Sequence, residues 1–155
     1  MIDARADVTV PVSSAEAFAA ATDLDSADWV PAVRRLRRVD GSPDGIGARY
    51  AVEVGIIGRH LSGVLVCSEL DPPRRARYEL ENGLALSITL HVREVPGGSN
   101  LELVASYAVG GGPLGGAVER ASVGAARREV ARAVEQLAAR FGRRGSRPQG
   151  APRRA

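Results

Sequence analysis

The C-terminal part of the chain constrains how the rest can fold. From Pro113 to Phe141, Leu114, Val118, Ala121, Ala126, Val130, Val134, Leu137 and Phe141 recur at intervals of three to five residues, while Glu119, Arg120, Arg127, Arg128, Arg132 and Glu135 occupy the opposite face. This spacing predicts one amphipathic helix of about eight turns. Such a helix needs an apolar surface to cover. The candidate is the segment Arg34 to Val109, which reads as strands broken by turns at GSPDG, Gly58, DPPR, Asn82-Gly83 and PGGSN. Its clearest alternation sets Leu86, Ile88, Leu90 and Val92 against Ser87, Thr89, His91 and Arg93. A second sets Leu101, Leu103, Ala105, Tyr107 and Val109 against Glu102, Val104, Ser106 and Ala108. Strands of this kind bury one face and wet the other. The expected fold class is therefore α+β, an antiparallel six- or seven-stranded sheet wrapped around the C-terminal helix.

The N-terminal pattern adds a first strand over Asp7 to Val12. Ser13 and Glu16 then form an S-x-x-E capping box, and a short helix over Ser14 to Ala21 follows. Thr22 to Val33 carries three aspartates, Trp29 and Pro31, and reads as a broken second helix or a loop. Over His60 to Leu70 two faces compete: Leu61, Leu65 and Cys67 against Val64, Val66 and Leu70. The orientation of His60 is open on this reading.

A length of 155 residues suits one domain. No apolar run approaches the ~18 residues of a membrane span, and the N-terminus shows no signal-peptide core, so a cytoplasmic protein is expected. The single cysteine, Cys67, excludes a disulfide scaffold. All 21 basic residues are arginine, which rules out a Schiff-base lysine, a lysine general base and a Walker-type phosphate lysine. The net charge of +3 divides into −2 over residues 1–142 and +5 over 143–155. The folded domain is expected to end near Phe141, with residues 142–155 a disordered arginine-rich tail whose contact with nucleic acid would be weak and salt-sensitive.

Other chemistries find little support. Gly110, Gly112 and Gly115 satisfy G-x-G-x-x-G, but no second parallel strand follows the helix as a dinucleotide fold requires. A flexible turn with Pro113 at the helix start explains the glycines. His60, Cys67 and His91 match no zinc spacing, so neither a metal nor another cofactor is expected. No G-x-S-x-G elbow marks a nucleophile. The tyrosines are more informative. Tyr50 is in phase with Val52, Val54 and Ile56, Tyr78 with Ala76 and Leu80, and Tyr107 with Leu103 and Ala105. All three are expected on the apolar side of the sheet, where an unpartnered phenol costs about 1–3 kcal/mol. Arg49 and Glu53, on the other side, read as a solvated ladder.

Strand, two short helices, strand meander and long C-terminal helix, in this order, resemble the START-like or helix-grip superfamily, and within it the polyketide cyclase/dehydrase (SRPBCC) branch. The residues that carry the resemblance are VPVSSAEAFAAATDLDSADWVPAV, the Gly45-Ile-Gly47 turn, the DPPRR turn from Asp71 to Arg75, and GGGPLGG before the last helix. It implies a deep cavity between sheet and helix over residues 1–141, with Trp29 in the segment bordering its mouth. The ligand-binding candidates are Trp29, Tyr50, Val52, Tyr78, Leu90, Leu103, Tyr107, Val118 and Val130, and the catalytic candidates are Tyr50, Tyr78 and Tyr107.

Three functions follow as expectations. The first is a protein that cyclises, dehydrates or shapes a polyketide-type substrate, with tyrosine hydroxyls stabilising enolates. The second is a non-enzymatic carrier of a lipid or quinone. The third is a toxin–antitoxin component or other interaction protein. The partner in the first two is a small hydrophobic molecule, and the assembly is a monomer or homodimer.

Overall fold

The computed structural model describes residues 2–26, 28–31, 33–56, 59–81, 85–108 and 115–150, with the side chains of residues 26, 56, 59, 61, 115–122 and 142–150 outside the description. In chain order the elements are β1 (Ile2–Val10), α1 (Ser14–Thr22), a 3-10 helix (Leu24–Ser26), β2 (Val33–Arg38), β3 (Arg49–Ile56), β4 (Arg59–Asp71), β5 (Arg75–Leu80), β6 (Leu86–Val95), β7 (Gly98–Tyr107) and α2 (Gly115–Gly150). The strands form one seven-stranded sheet in the order β1-β7-β6-β5-β4-β3-β2, and every neighbouring pair is antiparallel. β2 to β7 are a simple meander. β1 joins it beside the last strand, so the two ends of the sheet's sequence meet.

Strand β1 begins and ends earlier than its strongest apolar residues suggest. Ile2, Ala4, Ala6, Val8 and Val10 alternate in register with Tyr107, Ala105, Leu103, Leu101 and Ser99, but alanine is a weak apolar signal. The strand stops at Val10 because Pro11 has no N–H to offer the ladder. The capping box is in place: Ser13 Oγ accepts the Glu16 N–H at 3.1 Å and caps α1. The second short helix is reduced to the single 3-10 turn at Leu24–Ser26. Asp23, Asp25 and Asp28 compete for backbone hydrogen bonds, and Pro31 ends any helical continuation.

The two competing faces of β4 have one cause. Its register against β5 shifts between Cys67 and Glu69, and a bulge of this kind inserts one unpaired residue and reverses the alternation beyond it. Leu65 and Cys67 therefore face the core before the bulge, and Leu70 packs against it afterwards. No single alternation could have fitted both sides.

α2 packs mainly on β1 and also on β7, while α1 touches β6 and β7. Its buried stripe is Val130, Ala133, Val134, Leu137 and Phe141, of which Leu137 and Phe141 are 1% exposed. These two join Val10, Phe18, Trp29 and Leu101 in the main core. Helical backbone continues through Gly150, past the boundary expected at Phe141. Elongating a formed helix is far easier than nucleating one. Asn82-Gly83, Gly58, Gly110 to Gly112 and Pro113 lie outside the described residues.

The hairpin turn between β6 and β7 brings the backbone unusually close to β1. Gly97 holds a φ of 83°, and a Cβ on Gly98 would collide with the Val10 carbonyl. Beside it Ser99, fully buried, donates from Oγ to Val12 O at 2.9 Å. Gly98→Ala is expected to destabilise the fold by about 1–3 kcal/mol or more, because the obstacle is backbone. Leu137→Ala is expected to cost about 2–5 kcal/mol through transfer and cavity terms. Urea denaturation of both variants measures these losses, and a Gly98→Ala protein as stable as the parent would contradict the close approach.

Candidate functional site

Register fixes which side chains share the concave face. Arg38 pairs with Tyr50 and Tyr50 with Leu65; across the next ladders Cys67 pairs with Tyr78 and Tyr78 with Ile88. Paired residues in an antiparallel sheet project to the same side. Two adjacent rows of the inner face thus carry polar groups, one running Arg38, Tyr50, Leu65, Leu80 and the next Cys67, Tyr78, Ile88, with Val52, Ala76 and Leu90 buried around them.

Most residues expected to line a pocket are on this face. Tyr50, Val52, Tyr78 and Leu90 are buried in the core cluster, and Leu103 packs against it. Trp29, 5% exposed, belongs to the same cluster, so it is an interior side chain and not an exposed rim. Tyr107 is half-buried at the far end of β7, in register with Ile2 and Leu86. Val130 is buried on α2 but lies outside the main cluster, and the side chain of Val118 is outside the described residues.

The two buried phenols differ from ordinary core tyrosines. Neither hydroxyl has a hydrogen-bond partner among the described residues, and neither is among the polar atoms sealed from solvent without one. Both side chains lie in an apolar wall, Tyr50 9% and Tyr78 8% exposed. The indole N–H of Trp29 is the opposite case, sealed and unpartnered. Burial raises the pKa of Tyr78 well above its ordinary 10; burial also raises that of Tyr50, with nearby Arg38 pulling it back. Both phenols are protonated donors at neutral pH. Cys67 is 3% exposed, donates weakly to the Glu69 carbonyl at 3.5 Å, and is pushed up by burial, so it is a thiol and not a nucleophilic thiolate.

Both histidines are on the outer face. His60 is exposed and lies 3.2 Å from Glu53, which settles the orientation left open by the β4 pattern. His91 is in register with Arg75 and Glu102. The ladder expected around Arg49 and Glu53 is present: Arg49 grips Glu81 with two bonds of 2.8 and 2.9 Å, and Glu53 also meets Arg35 at 3.4 Å. No group of three metal-ligating side chains occurs among the described residues.

Among the described residues, surface clefts open at two places relevant to the sheet. One, of about 590 Å³, lies on the outer face between Asp7, Arg75, His91 and Glu102. The other, of about 630 Å³, is bounded by Leu24, Asp25, Leu36 and Arg140 at the margin of the concave face. Leu24, Val33 and Leu36 in its wall also pack on the core. The second cleft is thus continuous with the inner face at the β2 edge, where sequence reasoning had placed no site residue. Arg38, in phase with Leu36, was the available signal.

No helix among the described residues is long and apolar enough to cross a membrane. No curated protein sequence matches the chain. Solved structures do. A protein of Thermus thermophilus superposes with a TM-score of 0.80 at 18% identity, covering 92% of this chain and 99% of that one. The Zhui aromatase/cyclase of a Streptomyces species superposes at 0.77 with 16% identity, covering 96% and 98%. A START superfamily protein of Mycobacterium smegmatis gives 0.72 at 14%, covering 91% and 97%. At these identities the likeness is one of fold, and the fold is the START-like helix-grip. The sequence profile described as polyketide cyclase/dehydrase and lipid transport matches residues 1–142, and the chain belongs to that family.

Proposed function

We propose that the concave face receives a small hydrophobic molecule bearing carbonyl groups, of polyketide type, and orients it for cyclisation or dehydration. The observation that carries this reading is the pair of Tyr50 and Tyr78 hydroxyls, buried in an apolar wall and without a hydrogen-bond partner among the described residues. A phenol kept protonated by burial donates to a carbonyl and donates more strongly to the enolate that forms from it, which lowers the barrier to carbon–carbon closure or loss of water. The surrounding Val52, Ala76 and Leu90 would exclude solvent and hold the chain in a reactive fold. Tyr107, half-buried at the end of β7, would border the same volume. The likeness to an aromatase/cyclase fold and the family's description point the same way.

A carrier of a lipid or quinone is the second reading. It is favoured by the outward placement of His60 and His91, which leaves phenols and a thiol as the described hydrogen-bonding side chains of the two rows beyond Arg38. Native mass spectrometry of gently purified protein separates the readings. A ligand released unchanged supports carriage, and a ligand converted on incubation supports catalysis. Replacing Tyr50, Tyr78 and Tyr107 together with phenylalanine is expected to weaken retention or turnover by about tenfold or more, since each neutral hydrogen bond contributes about 0.5–1.5 kcal/mol. A triple variant with unchanged turnover would remove the tyrosines from the chemistry.

The buried phenol also predicts an alkaline limit. With its folded pKa raised above the ordinary 10, Tyr78 holds a proton that the unfolded chain gives up, so its contribution is complete below about pH 10 and is lost as pH rises through the folded pKa. Unfolding free energy is expected to fall above pH 10 by up to about 1.4 kcal/mol per pH unit for this group. Urea titrations between pH 9 and about pH 11.5 check this, and Tyr78→Phe should flatten the slope.

A further inference from the structure

Among the described residues, Arg38 is the arginine that register directs onto the concave face beside a buried phenol. Its neighbours on β2, Arg35 and Arg37, pair with Glu53 and Ala51 on the outer side. The side chain is about one-third exposed, and its bonds go to the loop between β2 and β3: Nη2 to Asp44 Oδ1 at 2.6 Å and to Ser42 O at 3.1 Å, with Nε to Ser42 Oγ at 3.4 Å. Nη1 has no described partner. The side chain of Asp44 is 92% exposed, so water competes fully for its carboxylate, and among the described residues Arg38 is the side chain that binds it. Asp25, on the other side, is the remaining acid whose charge reaches Arg38 and Tyr50. Leu36, two residues before Arg38 on the same face, leads from the β2-edge cleft into the core.

We propose that Arg38 is a specificity-determining residue that selects an anionic amphiphile, an apolar body ending in a carboxylate, and that Asp44 occupies its guanidinium until such a ligand displaces it. This rests on the reading of the concave face as a hydrophobic binding surface and adds the class of ligand. A guanidinium presents a planar fork that two carboxylate oxygens can bridge. Here the fork belongs to the residue paired with Tyr50, whose hydroxyl has no hydrogen-bond partner among the described residues and is the next donor on that face. A carboxylate at Arg38 would accept from Nη1 and Nη2, and its chain would run over Tyr50, Leu65 and Cys67 toward Tyr78. Exchange of Asp44 for the ligand conserves the ion pair, so the arginine is never left without a counter-charge. A neutral analogue would have to bind beside an occupied fork and would gain only the apolar contact.

Three probes test this on the full chain: N-phenyl-1-naphthylamine, which is neutral, cis-parinaric acid, and the methyl ester of that acid. The acid is expected to bind at least about tenfold more tightly than its ester, as one charge-assisted hydrogen bond requires. Arg38→Gln should abolish that preference while N-phenyl-1-naphthylamine binds as before. Asp44→Asn should tighten the acid several-fold and leave the ester unchanged. Equal binding of acid and ester, or a preference that survives Arg38→Gln, overturns the role of Arg38 and leaves the hydrophobic surface intact. Failure of the parent protein to bind even the neutral probe overturns the surface and this inference with it. If Arg38→Gln loses the neutral probe as well, Asp44→Asn decides: no gain for the acid overturns the proposal.

Discussion

Strand β1 finds its partner at the other end of the sheet's sequence, with Val10 facing Ser99 and the Ser99 hydroxyl held by Val12 O across 87 residues of chain. Everything else in the structure presupposes that pairing. It gives α2 its main support, since the helix lies on β1 and β7. It also puts the connection from β1 to β2, which carries α1 and Trp29, over the concave face near β6 and β7. Gly98 has no side chain at the point where the two backbones approach most closely. A meander of six strands alone would be an open sheet with one greasy side. The N-terminal strand and the C-terminal helix turn that side into an interior.

That interior is not uniformly apolar, and its polar groups are arranged by register. In two adjacent rows the concave face offers the Arg38 cation paired with the Tyr50 phenol and, one row along, the Cys67 thiol paired with the Tyr78 phenol, among apolar side chains. Both imidazoles and the acids Glu53 and Glu81 are on the convex side, where Arg49 pairs with Glu81 and His60 with Glu53. Surface pairs of this sort add little stability. Their placement still matters, because it leaves the inner rows acting by hydrogen-bond donation and shape. A site built this way suits ligands rich in oxygen acceptors and poor in charge, apart from a single anionic end.

Much of this was legible in the residues. The heptad-like stripe of α2, the alternation in β6 and β7 and the S-x-x-E cap each rest on local chemistry that needs no tertiary context. The phases of Tyr50 and Tyr78 were equally readable, because β3 and β5 keep one alternation throughout. β4 was not, since the bulge at its centre changes phase in mid-strand and neither half is long enough to reveal the change. The early start of β1 was hidden by Ala4 and Ala6, which are buried or half-buried by tight pairing with β7 and not by their own hydrophobicity. Arg38 escaped notice for a related reason. In VRRLRR the four arginines look alike, and Leu36 alone marks the phase that turns Arg38 inward, while the irregular pairing between Val33 and Arg35 breaks that phase at the start of the strand.

The central claim is that the hydroxyls of Tyr50 and Tyr78 face a volume that a hydrophobic molecule enters. Labelling tyrosine at the hydroxyl-bearing ring carbon with ¹³C gives one resonance for each of the three residues. Titration with N-phenyl-1-naphthylamine should shift the Tyr50 and Tyr78 resonances together, with a common saturation. Saturable binding that leaves both resonances where they were would contradict the account.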